Sequence, residues 1–151
     1  GGGGGLGLAA AMPPGAAEGM GRMAWVLVID DDPSYRGVMR RILESRGHTV
    51  LEALDGVEGL EIFASHRPDV VITDMIMAGL SGEEVIRSLR QLGEPVGIIA
   101  VSGDCAFYNV DPLDMARRLG ADAILRKLDP LQRILSEVDR VLALPAFAAA
   151  G

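Results

Sequence analysis

From Trp25 to Leu142 the chain alternates short apolar runs with stretches of helical periodicity, and this alternation constrains the fold more than any other feature. The apolar runs are WVLVI (25–29), TVLEA (49–53), DVVIT (69–73), VGIIAV (96–101) and DAILR (122–126). Three of them are nearly continuous Val, Ile and Leu, the composition of parallel strands buried on both faces. Between the runs, residues 34–46 gather Val38, Met39, Ile42 and Leu43 on one face, behind Pro33 at a first-turn position and ahead of Gly47. Residues 57–65 offer Leu60 and Phe63, and residues 82–92 offer Val85, Ile86 and Leu89 before Gly93. Residues 112–119 open at Pro112 and stop before Gly120, and residues 130–143 open at Pro130 and carry Ile134, Leu135, Val138, Val141 and Leu142. Five strands alternating with five helices through short loops predict an open α/β sheet, doubly wound, with helices on both faces.

The chain of 151 residues is long enough for one domain, and its 49% hydrophobic content supplies a core. A formal charge of −7 leaves no basic face for a phosphate backbone or an anionic bilayer, so neither nucleic acid nor membrane is an expected partner. No stretch reads as a transmembrane span. Cys105 is the single cysteine, which excludes a disulfide framework and suits a reducing, cytoplasmic compartment. The Gly/Ala-rich start has too little apolar surface to offset its ordering entropy. The expected organisation is a disordered extension over 1–23, a domain over 24–144 and a short tail over 145–151. GLGLAA imitates a dinucleotide fingerprint, but no strand precedes it.

The polar residues that follow the apolar runs converge on one edge. In an open parallel sheet, ligands bind beyond the carboxyl ends of the strands. After the first run come Asp30, Asp31 and Asp32; after the third, Asp74; after the fourth, Ser102; after the fifth, Lys127. The second run ends in EALDG, which reads as a plain turn. Two carboxylates about 4 Å apart repel by roughly 4 kcal/mol at an effective dielectric of 20, so the aspartate cluster needs solvent, protons or a cation. The simplest alternative is an exposed turn whose aspartate caps the next helix.

Asp30, Asp31 and Asp74 suit a small hard cation such as Mg²⁺, which takes oxygen ligands and retains several waters. Ser102 and Lys127 can then bind the oxygens of a phosphoryl group, although taken singly they read more simply as a loop hydrogen-bonding residue and a solvated charge. In that arrangement Asp74 is the nucleophile that attacks phosphorus and forms an aspartyl phosphate. Cation and lysine stabilise the charge on the transferring group.

Residues 24–144 resemble the receiver domain of bacterial two-component response regulators. VLVIDDDPS resembles its first-strand acidic motif, PDVVITDMIMAGLSG its phosphoacceptor motif, IIAVSGD its hydroxyl motif and ADAILRK its lysine motif. The resemblance implies a flavodoxin-like (βα)₅ fold. It implies phosphorylation of Asp74, Mg²⁺ held by Asp31 directly with Asp30 as the acid-pocket partner, and a further ligand from the Ile76 carbonyl. Ser102 and Lys127 would contact the phosphoryl oxygens, and Asp32 would have no essential role. It further implies a phosphorylation-dependent switch rather than a metabolic enzyme, a single-domain regulator without an attached output domain. Its partners would be a sensor histidine kinase or phosphotransfer protein and a downstream protein target, the chain itself a monomer or weak dimer.

Four features depart from the family pattern. Leu128 stands after Lys127 where proline in a cis bond is usual, Ile124 where an aromatic is usual, and Ala78 where proline follows Met77. The segment after Ser102 is longer than usual, so residues 103–111 are expected to be the moving element, with Phe107 or Tyr108 replacing the missing aromatic. Two other readings remain. Residues 30–34 also satisfy the Asp-x-Asp-x-Ser pattern of haloacid dehalogenase-type phosphatases, with Asp30 as nucleophile. A receiver-like interaction module that is never phosphorylated would work through its fourth and fifth helices. His48 and His66 read as surface residues.

Overall fold

The computed structural model describes residues 22–103 and 111–144. Expectations for the rest of the extension, for the tail, and for Cys105, Phe107 and Tyr108 fall outside these residues. The strands are β1 (Trp25–Ile29), β2 (Thr49–Ala53), β3 (Val70–Asp74), β4 (Gly97–Ser102) and β5 (Ala123–Arg126). The helices are α1 (Pro33–Ser45), α2 (Gly56–His66), α3 (Gly82–Gln91), α4 (Pro112–Leu119) and α5 (Gln132–Leu142). All strand pairs are parallel, in the order β2-β1-β3-β4-β5. The expected doubly wound sheet is the one observed.

The period of two along each strand sorts side chains onto two faces. Val26 and Val28 join Met39 and Leu43 of α1 and Ile134, Leu135, Val138 and Val141 of α5 in one core. Leu27 and Ile29 join Phe63 of α2, Val85, Ile86 and Leu89 of α3, and Leu113 and Ala116 of α4 in the other. Burying a Val, Leu or Ile contributes about 1.5–3 kcal/mol each, so the two cores supply the main drive to fold. Gly59 lets α2 close on the sheet, because a β-carbon there would come within 2.8 Å of Ile29 Cγ1.

Polar residues start the helices. Asp32 caps α1 by accepting from the Ser34 N–H at 2.9 Å, with Pro33 in the first turn. Asp55 caps α2 and Asp111 caps α4 in the same way. EALDG is therefore a helix start as well as a turn. α5 begins two residues later than expected. Pro130 and Leu131 instead form a tight turn whose carbonyls accept from Arg133 and Ile134, and α5 has no side-chain cap.

Two strands also end one residue later than expected, so Asp74 and Ser102 are the last residues of β3 and β4 rather than the first beyond them. His48 corrects its expected placement: it is buried, and its Nδ1 accepts from the Ala24 N–H at 3.0 Å. The chain entering β1 covers it, which a reading of its Gly47–Thr49 neighbourhood does not foresee. His66 is exposed as expected. No peptide bond among the described residues is cis, so Lys127–Leu128 is trans. No helix among them is long and apolar enough to cross a membrane.

Candidate functional site

From β1 the chain passes first to β2 on one side and later to β3 on the other, so the strand order reverses between β1 and β3. A crevice opens at such a point because the connections leave in opposite directions. Asp30 leaves β1 and Asp74 ends β3 at this place. Ladder bonds continue to the rim: the Asp30 N–H donates to the Ala53 carbonyl at 3.1 Å and the Met75 N–H to the Val101 carbonyl at 2.9 Å.

Asp30, Asp31 and Asp74 each present a carboxylate oxygen, all within 4.8 Å of one another. Asp30 is 1% exposed and Asp74 5%, whereas Asp31 is open to solvent. Lys127 Nζ bridges the buried pair, 3.0 Å from Asp30 Oδ2 and 3.2 Å from Asp74 Oδ2. Backbone donors occupy the other two oxygens: Asp30 Oδ1 accepts from the Asp32 N–H at 2.9 Å, and Asp74 Oδ1 from the Ile76 N–H at 3.2 Å. Arg36 donates to the Asp30 carbonyl at 2.6 Å while paired to Glu52 at 3.2 Å, tying α1 and β2 to the site.

Burial, then the Asp30 charge beside it, holds the Asp74 carboxyl above the usual carboxylate range against the opposing Ile76 N–H and Lys127. For Lys127 burial favours the neutral amine, but hydrogen bonding and charge from Asp30 and Asp74 outweigh it and raise its pKa. The ammonium is therefore a stable cation placed between two buried acids.

The three aspartates divide their work. Asp30 is the buried acceptor, Asp31 the exposed carboxylate, and Asp32 the helix cap, so the capping alternative is correct for Asp32 alone. Three carboxylates from two strand ends form an all-oxygen donor set. Asp31 faces water and accepts no hydrogen bond among the described residues, as suits a Mg²⁺ ion that keeps part of its hydration. The donor chemistry fits that ion.

The remaining expected site residues, Ser102 and Ile76, lie at the same edge. Ser102 is fully buried beside Lys127, whose N–H donates to the Ser102 carbonyl at 2.9 Å. Ile76 is in the β3–α3 loop, joined to Asp74 through its N–H. Leu128 is 98% exposed beyond Lys127. Ile124 is half buried and lines a groove of about 480 Å³ with Arg117, Arg133 and Arg140.

Sequence reasoning did not single out two residues. Tyr35 of α1 stacks over Lys127, with Nζ 4.7 Å from the ring centroid. Burial pushes its hydroxyl up to about 12, against the lowering effect of Lys127. Its place one turn before buried Met39 marks it as inward-facing, the one available signal. Gly82 opens α3 directly against the end of β3, and the helix-start signal Ser81-Gly82-Glu83-Glu84 points to that junction without giving its closeness.

A family description, the response regulator receiver domain, matches residues 26–139. Response regulator MprA of Mycobacterium ulcerans (strain Agy99) is 40% identical over 118 residues, covering 78% of this chain and 49% of that protein. The MprA of Mycobacterium sp. (strain KMS) is 38% identical, covering 78% of this chain and 50% of its own length. The chain thus spans about half the length of these curated relatives. Among solved structures, a response regulator receiver domain protein from Clostridium thermocellum superposes with a TM-score of 0.72 at 31% identity, covering 85% of this chain and 97% of that one. Vibrio cholerae chemotaxis protein CheY4 gives 0.71 at 28% identity, covering 80% and 100%. The match along 26–139 and the shared parallel sheet place this chain in the response regulator receiver family of two-component systems.

Proposed function

We propose that the domain accepts a phosphoryl group on Asp74 from a phosphohistidine-bearing partner, a sensor histidine kinase or phosphotransfer protein, and signals by protein contact. The observation that carries this reading is the Asp74 carboxylate at the end of β3, clustered with Asp30 and Asp31 and 3.2 Å from the Lys127 ammonium.

A carboxylate oxygen of Asp74 attacks phosphorus, and a new O–P bond forms as the donor's P–N bond breaks. The bonding electron pair leaves with the imidazole. Negative charge on the phosphoryl oxygens needs positioned counter-charge, the largest kind of contribution such sites make. Lys127 supplies it by exchanging its Asp74 contact for a phosphoryl oxygen while keeping Asp30. Ser102, adjacent at the end of β4, offers a hydroxyl to the same group. Asp30, Asp31 and Asp74 would hold Mg²⁺, with the Ile76 carbonyl as a further ligand, and the ion would neutralise phosphoryl charge there. Hydrolysis of the acyl phosphate returns the carboxylate, so the chain works as a switch with slow self-catalysed steps. With a net charge of −7, a protein partner suits it better than a polyanion. Phosphorylation would bias two states through its different contacts in each.

Intact-mass spectrometry with Mg²⁺ and acetyl phosphate, run beside Asp74→Ala, tests the reading. One added phosphoryl group in the wild type and none in Asp74→Ala is expected. An adduct that persists in Asp74→Ala places the chemistry elsewhere. No adduct in either protein favours an interaction module that is not phosphorylated.

A further inference from the structure

Among the described residues, three contacts hold the Lys127 ammonium, and they come from three separate parts of the chain: Asp30 just beyond β1, Asp74 at the end of β3 and the Tyr35 ring on α1. The carboxylates belong to the acidic cluster; the ring does not. Tyr35 is half buried against the core beneath α1 and α5. Among the described residues its hydroxyl makes no hydrogen bond, so the ring meets the site only through its face.

An aromatic face attracts an ammonium through its quadrupole, more strongly where water is kept away. Lysine hangs on a flexible four-carbon stem, and holding its head group in one place needs more than charge alone. A carboxylate binds the ammonium along lone-pair directions, which tie it to the unphosphorylated acid. A ring face attracts without such a direction. It can keep hold of the ammonium while the contact on Asp74 is exchanged.

We propose that Tyr35 is a positioning residue for phosphoryl transfer, its ring face keeping the Lys127 ammonium where it meets the oxygens of the group arriving on Asp74. The inference rests on the phosphoryl-acceptor reading. With acetyl phosphate as donor, Asp74 forms the O–P bond as the acetate–phosphorus O–P bond breaks, and the electron pair leaves with acetate. Lys127 moves from a carboxylate oxygen to a phosphoryl oxygen in the same step. Without the ring, the ammonium samples more positions and is less often in place.

The experiment compares initial rates of labelling by acetyl phosphate and Mg²⁺ in the full chain, for the wild type, Tyr35→Phe and Tyr35→Leu. Tyr35→Phe keeps the ring and should label within about twofold of the wild type. Tyr35→Leu keeps apolar packing but loses the face, and should label about three- to tenfold more slowly, in the range expected for a partly desolvated cation–π contact. Proton NMR supplies a second readout, since the ring shifts the Lys127 ε-methylene resonances upfield in the wild type and Tyr35→Phe but not in Tyr35→Leu. If Tyr35→Leu unfolds, Tyr35→Met, a flexible filler of similar bulk, takes its place in the same comparison.

Equal rates for the wild type and Tyr35→Leu overturn the inference, as does a Tyr35→Phe rate as low as that of Tyr35→Leu. Slower labelling with unmoved Lys127 resonances identifies a packing effect and also overturns it. A wild type that takes no phosphoryl group overturns the acceptor reading, and this inference with it.

Discussion

A β-carbon on Gly82 would run into the carbonyl oxygen of Asp74 and come within 2.6 Å of Met75 Cα. The first turn of α3 thus rests on the backbone of the residue that carries the site, and the Gly82 N–H donates to the Met75 carbonyl at 3.2 Å. Both obstructing atoms are backbone, pinned by the bond from Met75 to Val101, so neither can swing aside. Gly82→Ala should lower stability by about 1–3 kcal/mol in urea unfolding, as overpacking does, and should slow acetyl phosphate labelling. Gly37 lies in α1 with open space around it. Gly37→Ala should be neutral or stabilising by roughly 0.5–1 kcal/mol. Equal midpoints for Gly82→Ala and the wild type would mean that the junction yields.

Asp31 tests the cation reading. Its exposed carboxylate accepts no hydrogen bond among the described residues and lies close to two other acids. Asp31→Asn should leave the metal-free protein as stable as the wild type or slightly more so, because like-charge repulsion falls. Mg²⁺ should raise the wild-type Tm, since a ligand bound by the folded state alone stabilises it, and should leave that of Asp31→Asn unmoved. A shared Mg²⁺ response would remove Asp31 from the ligand set.

Asp32 is separable from its neighbours. Asp32→Ala removes the cap of α1 and should reduce stability by about 0.5–2 kcal/mol, with the Mg²⁺ response intact. Asp32→Ser should recover most of the loss. A Mg²⁺ response that disappears in Asp32→Ala would give this residue a share in the ion.

His48 makes stability depend on pH. Burial, opposed by Asp139 and reinforced by Arg46, lowers its pKa below the ordinary value. Nδ1 accepts the Ala24 N–H, so the neutral ring carries its proton on Nε2, which has no hydrogen-bond partner among the described residues, as is true of Asp139 Oδ1. The unfolded chain therefore binds a proton more readily than the folded one. The stabilisation is complete above the unfolded pKa of about 6.5 and is lost as pH falls from there through the depressed folded pKa, at no more than about 1.4 kcal/mol per pH unit. His48→Asn keeps an acceptor near Nδ1 without titrating. Its Tm should fall less between pH 7 and 5.5 than that of the wild type; parallel curves would assign the pH dependence to other groups.

The sheet and the acidic site were legible because both rest on local pattern. Continuous Val/Ile/Leu runs betray buried parallel strands, and the polar residue ending each run must lie at the carboxyl edge. Residues whose surroundings come from distant chain were not legible. Tyr35 reads as an ordinary inward-facing residue of α1 until the crossings bring the end of β5 beneath it. His48 sits in what reads as a surface turn and is buried only because the approach to β1 crosses it. Pro130 reads as a helix start, but the turn through Leu131 defers α5.

Asp74 and Ser102 close their strands inside the hydrogen-bonded ladder, while Ala78, Leu128 and the rim of the Ile124 groove lie in loops or on outward surfaces. On the proposed reading, the chemistry would sit in the frame of the molecule and the departures in its trim. Under that reading, substitutions in the trim would change which neighbour reads the domain, or for how long, while the proposed reacting groups keep their spacing. A scaffold so divided would be re-addressed to new listeners without being rebuilt at its centre.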